Sequence, residues 1–209
     1  MSDFVTQRTL AFATALLLSS TLAAKALEMT EISQIGIGNG EGYAEMIKYH
    51  SGSQSLMVTA SETGTIERIS IANPTKLRMM DPLDLNGGDV TAVAVHNNLV
   101  AATIKAKTAD APGMVKLFNT NGNLLAIFET GSLPDNVAFS PNGRYLLTAN
   151  EGEPSDDYAV DPEGSFTLVD LGAGVNKAKV TQLSMAGVDA PAGSRIVKTG
   201  SSFAVDAEP

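Results

Sequence analysis

The sequence predicts an all-β fold, a β-propeller of four-stranded blades, and two observations carry that prediction. Short apolar segments of strand length recur along the chain, divided by turn residues. One order of four such segments repeats three times, at the ~40 to 50 residues of a propeller blade. Cysteine is absent, so burial alone must hold the fold, with no disulfide framework or thiolate metal site to help.

In chain order, Met1 to Ala26 differs from the rest. Arg8 precedes an apolar block from Leu10 to Leu22, and Ala24-Lys25-Ala26 supplies the small-x-small pattern of signal peptidase sites. The block is shorter than the ~20 residues that cross a bilayer, so a cleaved export signal over 1–26 is expected, with the mature chain starting near Leu27.

The first blade is expected over about 43–85. Ala44 to Tyr49 leads through a Ser-Gly turn into Ser55–Ala60, then Gly64–Ile69, then a fourth segment from Thr75 to Leu85. The second blade is expected over about 89–128. Val90–Val95 turns at Asn97-Asn98 into Leu99–Ile104, Gly113–Phe118 follows, and Asn121-Gly122 suits a two-residue hairpin leading into Leu124–Phe128.

The third copy, about 133–185, is the clearest. Val137-Ala138-Phe139 stops at Ser140-Pro141-Asn142-Gly143, whose proline and glycine fit the corner and exit of a tight turn. Tyr145–Ala149 returns, Ser165–Asp170 alternates polar and apolar residues, and Lys179–Leu183 completes the unit. Aligning the copies makes His50, His96 and Ser140 equivalent, and likewise Gly64, Gly113 and Gly164. A β-sandwich would also suit short, evenly spaced strands. The recurring four-strand order favours blades.

Three blades do not close a ring, which typically takes four to eight. The segment from Phe203 to Pro209 begins like the first blade, with Ala207-Glu208 matching Ala44-Glu45. Residues 27–209 are therefore expected to be the N-terminal part of a propeller, a fragment whose fourth blade starts near 203–209.

The run LPDNVAFSPNGRYLLTANEGEPSDDYAVDPEGSFTLVDL, with GYAEMIKY near the start and SSFAVDAEP at the end, resembles the bacterial choice-of-anchor I family. The resemblance implies an exported β-propeller in the periplasm, outside the cell or at its surface, followed by further blades and a C-terminal anchor. Some members carry the name alkaline phosphatase, and animal relatives are called mesenchyme-specific cell surface glycoproteins.

The formal charge of -9 argues against nucleic acid, whose binding needs a basic face, and it disfavours docking on anionic lipid. No segment after the signal is long and apolar enough to span a membrane. The expected partner is an extracellular ligand, glycan or protein.

Two sets of acids are candidate sites. Glu151, Glu153, Asp156, Asp157, Asp161 and Glu163 crowd one loop, and hard oxygen ligands at short spacing suit Ca²⁺. Their spacing does not follow the EF-hand pattern, so a solvated acidic loop is the alternative. The second set follows from fold: first strands line a propeller's channel, and at their starts stand Glu45, Asp89, Asp135 with Asn136, and Glu208. These are candidate channel ligands, or caps of strand ends.

His50 and His96 are read as turn residues because the repeat makes them equivalent on separate blades. No nucleophile elbow and no phosphate-cradling loop is present, and no organic cofactor is expected. Two function classes remain. One is a binding propeller with a Ca²⁺ site. The other is a metal-dependent phosphoesterase, for which the nearest basic residue in sequence is Arg144.

Overall fold

The computed structural model describes residues 29–38 and 44–185. The expected signal at 1–26, the expected blade start at 203–209 and Glu208 lie outside the described residues.

The described chain forms three antiparallel sheets, each a four-stranded meander in sequence order. The first holds β1 (Ile47–His50), β2 (Ser55–Ala60), β3 (Thr65–Ser70) and β4 (Arg78–Asp84). The second holds β5 (Asp89–His96), β6 (Leu99–Lys105), β7 (Pro112–Asn119) and β8 (Leu124–Ser132). The third holds β9 (Pro134–Phe139), β10 (Tyr145–Asn150), β11 (Ser165–Asp170) and β12 (Lys179–Ser184), with a 3-10 turn at Val175–Lys177 before its last strand. These are the repeated blades, and they form no closed ring.

Each first strand lies on the inside. β5 packs against both β1 and β9, while β12 is exposed along its whole length. The second strands are the most buried, because each blade stacks on the next through both faces of the middle sheet. In β6 the period of two divides the side chains between two cores. Val100, Ala102 and Ile104 join Met57, Ile66, Leu83 and Leu85 of the first blade, whereas Ala101 joins Val137, Leu146 and Val169 of the third. A strand buried on both faces reads as an unbroken apolar run, and this is why Leu99–Ile104 does not alternate. β10 packs one face only: Leu146, Thr148 and Asn150 are buried, whereas Leu147 is exposed. Each buried aliphatic side chain contributes ~1.5–3 kcal/mol, so the two inter-blade cores are the main stabilising element.

β1, β5 and β9 run the same way, which gives the array two ends. At the upper end, where these strands begin, Ser61 Oγ donates to the Val90 carbonyl at 2.9 Å and Thr91 Oγ1 donates to the Pro134 carbonyl. At the lower end the equivalent histidines join neighbouring blades. His50 is buried; Ser53 N–H donates to its Nδ1 at 3.1 Å, and its Nε2 donates to the carbonyl of Asn97 in the next blade's first turn. The His96 ring lies 5.8 Å from the Phe139 ring, tilted by 38°, and closes against Gly143, in the turn after that. The repeat had marked both as turn residues, and both are fasteners between blades.

Two local expectations change. Asn121-Gly122 does not make a two-residue hairpin. Asn119 Oδ1 accepts from the N–H groups of Asn121 and Asn123 at 3.0 and 2.9 Å, which holds a longer turn from Thr120 to Asn123. The second sheet also runs to Ser132 rather than stopping near Phe128. The tight turn at Ser140–Gly143 is as read, with Gly143 N–H donating to the Ser140 carbonyl at 2.8 Å.

Candidate functional site

The acidic loop occupies 151–164, between β10 and β11 at the upper end. Its root is fixed by backbone: Glu151 N–H donates to the Leu133 carbonyl at 2.8 Å and Gly152 N–H to that of Ser132 at 3.3 Å. Gly152 has φ +66, and a Cβ there would lie 2.5 Å from the Pro162 carbonyl oxygen, so the loop's two ends cross where only glycine fits. Beneath the root, buried Asn150 donates from Nδ2 to Ser165 Oγ and Thr167 Oγ1 at 3.0 Å each and accepts from Thr148 Oγ1 at 2.8 Å.

The loop's tip closes on itself. Ser155 N–H donates to the Val160 carbonyl and Tyr158 N–H to that of Ser155, both at 2.8 Å. Ser155 Oγ and Ala159 N–H both donate to Asp157 Oδ1, at 2.7 and 3.1 Å. Those hydrogen bonds, Ser155 first, hold the Asp157 carboxyl below the usual carboxylate range.

The two sequence-predicted sets meet. Glu45, Asp89 and Asp135 at the strand starts line one open cleft of about 490 Å³ together with Glu151 and Glu153 from the loop. A second cleft of about 540 Å³ adjoins it, sharing Asp89, Leu133, Lys105 and Glu153, and takes in Asp156 and Asp157. Other predicted residues stand apart. Asn136 sits in β9 opposite Ala149 and lines neither cleft. Asp161 and Glu163 also line neither, and Glu163 Oε2 accepts from Ser184 Oγ at 3.1 Å.

Glu62 adds a sixth carboxylate to the first cleft, against one lysine, Lys105. Lys105 Nζ lies 3.5 Å from Asp89 Oδ2, and both side chains are well exposed. Such a cleft attracts cations and repels free anions. Among the described residues, no three His, Cys, Asp or Glu side chains converge closely enough to hold a metal ion. Lys105 and Glu62 were not anticipated from sequence, although the end of a second strand and the loop after it are where a repeat places upper-end residues. Arg144, the basic residue nearest the acids in sequence, is at the lower end, paired with Asp170 through Nε–Oδ1 at 3.1 Å and Nη2–Oδ2 at 3.0 Å.

The choice-of-anchor I domain matches residues 45–209, from the first cleft carboxylate through all three sheets. The chain belongs to the choice-of-anchor I family. Family membership fits an exported or surface-anchored protein, and among the described residues no helix is long and apolar enough to cross a membrane. No curated protein matches the chain by sequence. Solved structures match in fold. The putative 6-phosphogluconolactonase of Bacteroides uniformis is 14% identical with TM-score 0.53, covering 70% of this chain and 42% of its own. The periplasmic gluconolactonase PpgL of Pseudomonas aeruginosa is 15% identical with TM-score 0.52, covering 70% and 41%. Hydrazine synthase of Kuenenia stuttgartiensis is 14% identical with TM-score 0.52, covering 66% and 41%. The choice-of-anchor I chain thus spans about two fifths of each of these three structures. Likeness at this identity carries the propeller architecture alone.

Proposed function

We propose that this choice-of-anchor I chain forms part of an exported or cell-surface propeller module that binds an extracellular ligand in the acidic cleft at its upper end. The observation that carries the reading is the convergence of strand-start acids with the loop acids: Glu45, Asp89 and Asp135 beside Glu151 and Glu153. A bound group must offset that charge. Ligands with cationic groups, or polyhydroxy ligands held through Ca²⁺, meet that need. The separated carboxylates make Ca²⁺ a proposal for a rearranged cleft: a cation would draw together side chains that otherwise repel. The periplasm and the cell surface both suit this reading.

One observation favours a second reading, a metal-dependent phosphoesterase. Lys105 lies beside the acids and supplies the cationic contact for phosphate that the sequence did not reveal. The solved neighbours do not choose between readings, because propellers host both binding and catalysis.

Hydrolysis of a chromogenic phosphate monoester by the full-length protein, with Ca²⁺ and then with chelator, separates the two. No turnover above the buffer blank is expected for the binding module. Turnover that disappears with chelator and with Asp89→Asn would replace it with the phosphoesterase.

A further inference from the structure

The formal charge of -9 conceals a division between the two ends of the array. Strand directions assign every loop to one end. Carboxylates of the acidic loop and cleft gather at the upper end, where the exposed cations of the described loops and strand ends are Lys105 and Lys107. The lower end consists of the connections 51–54, 71–77, 97–98, 120–123, 140–144 and 171–178, with the strand ends that flank them. Among its described residues are Lys76, Arg78, Arg144, Lys177 and Lys179, all exposed, and one carboxylate, Asp170.

That carboxylate is already neutralised by the two-point contact with Arg144. Around the pair lies a cleft of about 390 Å³, whose lining adds Lys177, Lys179 and the small residues Gly172 and Ala173. Its size falls within the range of small-molecule sites, ~300–1,000 Å³. Gly172 lets the Arg144–Asp170 pair lie against the backbone, with Arg144 Nε 2.9 Å from where a Cβ would stand, and three cations against the single carboxylate leave the recess net positive. On a protein this acidic, chance would scatter its few cations. Here three of them share one recess.

We infer that this lower cleft binds an acidic glycan chain, seating a sugar carboxylate on Lys177 and Lys179 beside the Arg144–Asp170 pair. A flat anionic bilayer fits less well. A charged plane feels the repulsion of the whole acidic molecule, whereas a linear polymer meets the basic end locally, and beyond the ~8 Å Debye length at physiological salt the acidic end is screened. The array would then carry two sites of opposite charge at opposite ends, and the lower one is independent of the acidic cleft.

The test is binding of polygalacturonate oligomers to the full-length protein at low salt, with neutral dextran and phosphatidylglycerol vesicles as comparison ligands. Polygalacturonate is expected to bind in preference to both and to weaken as salt rises. Lys177→Glu with Lys179→Glu should weaken it roughly tenfold, since two attractive contacts become repulsive. Lys177→Arg with Lys179→Arg should restore it. Lys179 stands opposite Asp170 across β11 and β12, so the charge-reversed variant is expected to melt somewhat lower, and unchanged strand content by circular dichroism checks that each variant folds. The inference is overturned by absence of polygalacturonate binding, by equal binding in the charge-reversed variant, or by binding to the vesicles alone.

Discussion

Asp89 and Lys105 face each other across β5 and β6 at 3.5 Å, because a bulge at Thr91 shifts the strand register by one residue. From His96↔Leu99 up to Ala92↔Thr103 the pairing is regular; beyond it Val90 meets Ile104 and Asp89 meets Lys105. Without the bulge Asp89 would stand opposite Ala106 rather than Lys105. Bulges redirect side chains in this way beside functional sites.

Exposed pairs of this kind contribute ~0–1 kcal/mol, so Lys105 is not there for stability. Lys105→Met is expected to leave the melting temperature within a degree or so of wild type. The same variant should bind divalent cations more tightly, because it removes the one positive charge in the first cleft. Ca²⁺ titration of both proteins checks this, and equal affinity would detach Lys105 from the site.

His50→Ala removes a part-buried hydrogen bond between blades, to the Asn97 carbonyl, together with the local contact from Ser53 N–H. A loss of ~0.5–1.5 kcal/mol is expected in urea unfolding, since water can reach both partners. His96→Ala, which removes a ring contact and an exposed hydrogen bond with Asn97 inside its own turn rather than a hydrogen bond between blades, should cost less. A larger effect at His96 would reverse this ranking of the two fasteners.

Gly152→Ala puts a methyl group against the Pro162 carbonyl and strains a backbone at φ +66. The ends of the acidic loop should separate before the sheets do. Limited proteolysis would then cut within 151–164 faster than in wild type, with the strand content by circular dichroism unchanged. Equal cutting rates would mean that the crossing does not hold the loop.

Acid pH should act through Asp170. The hydrogen bond from Arg144 depresses its carboxyl most, followed by Gly172 N–H, with Lys179 adding to the effect. A carboxyl depressed in the folded state contributes stability that is complete above the unfolded value, ~3.9, and is lost as pH falls through the folded value. Asp170→Asn should therefore flatten the acid limb of melting temperature against pH below about 4, with a small effect because the pair is exposed. An acid limb as steep as wild type would exclude Asp170.

Much of the architecture was legible in sequence because each blade repeats local rules. Ser140-Pro141-Asn142-Gly143 specified its turn, and the alternation of Ser165–Asp170 specified a strand but not its buried face, which carries Thr167 and Val169 and leaves Phe166 and Leu168 half-buried. Asn121-Gly122 misled because the side chain of Asn119, two residues earlier, captures the backbone N–H groups around it. The site was legible by halves. Strand-start acids followed from the repeat and loop acids from their density, but their meeting depends on how blades pack. Lys105 was hidden by the bulge at Thr91, which no residue pattern announces. His50 and His96 looked like plain turn residues because their partners, Asn97 and Gly143, belong to the next copy of the same turn.

In the proposed binding module the carboxylates of the upper end act together as a site. The most direct measurement is the melting temperature of the full-length protein as Ca²⁺ is raised, for wild type and for Asp89→Asn with Glu153→Gln, the two acids common to both clefts. Binding to the folded state stabilises by ~2.7 kcal/mol at a hundredfold excess over Kd. A saturable rise in wild type, abolished in the double variant, is the predicted result. No rise in wild type, or an equal rise in both proteins, would contradict the claim.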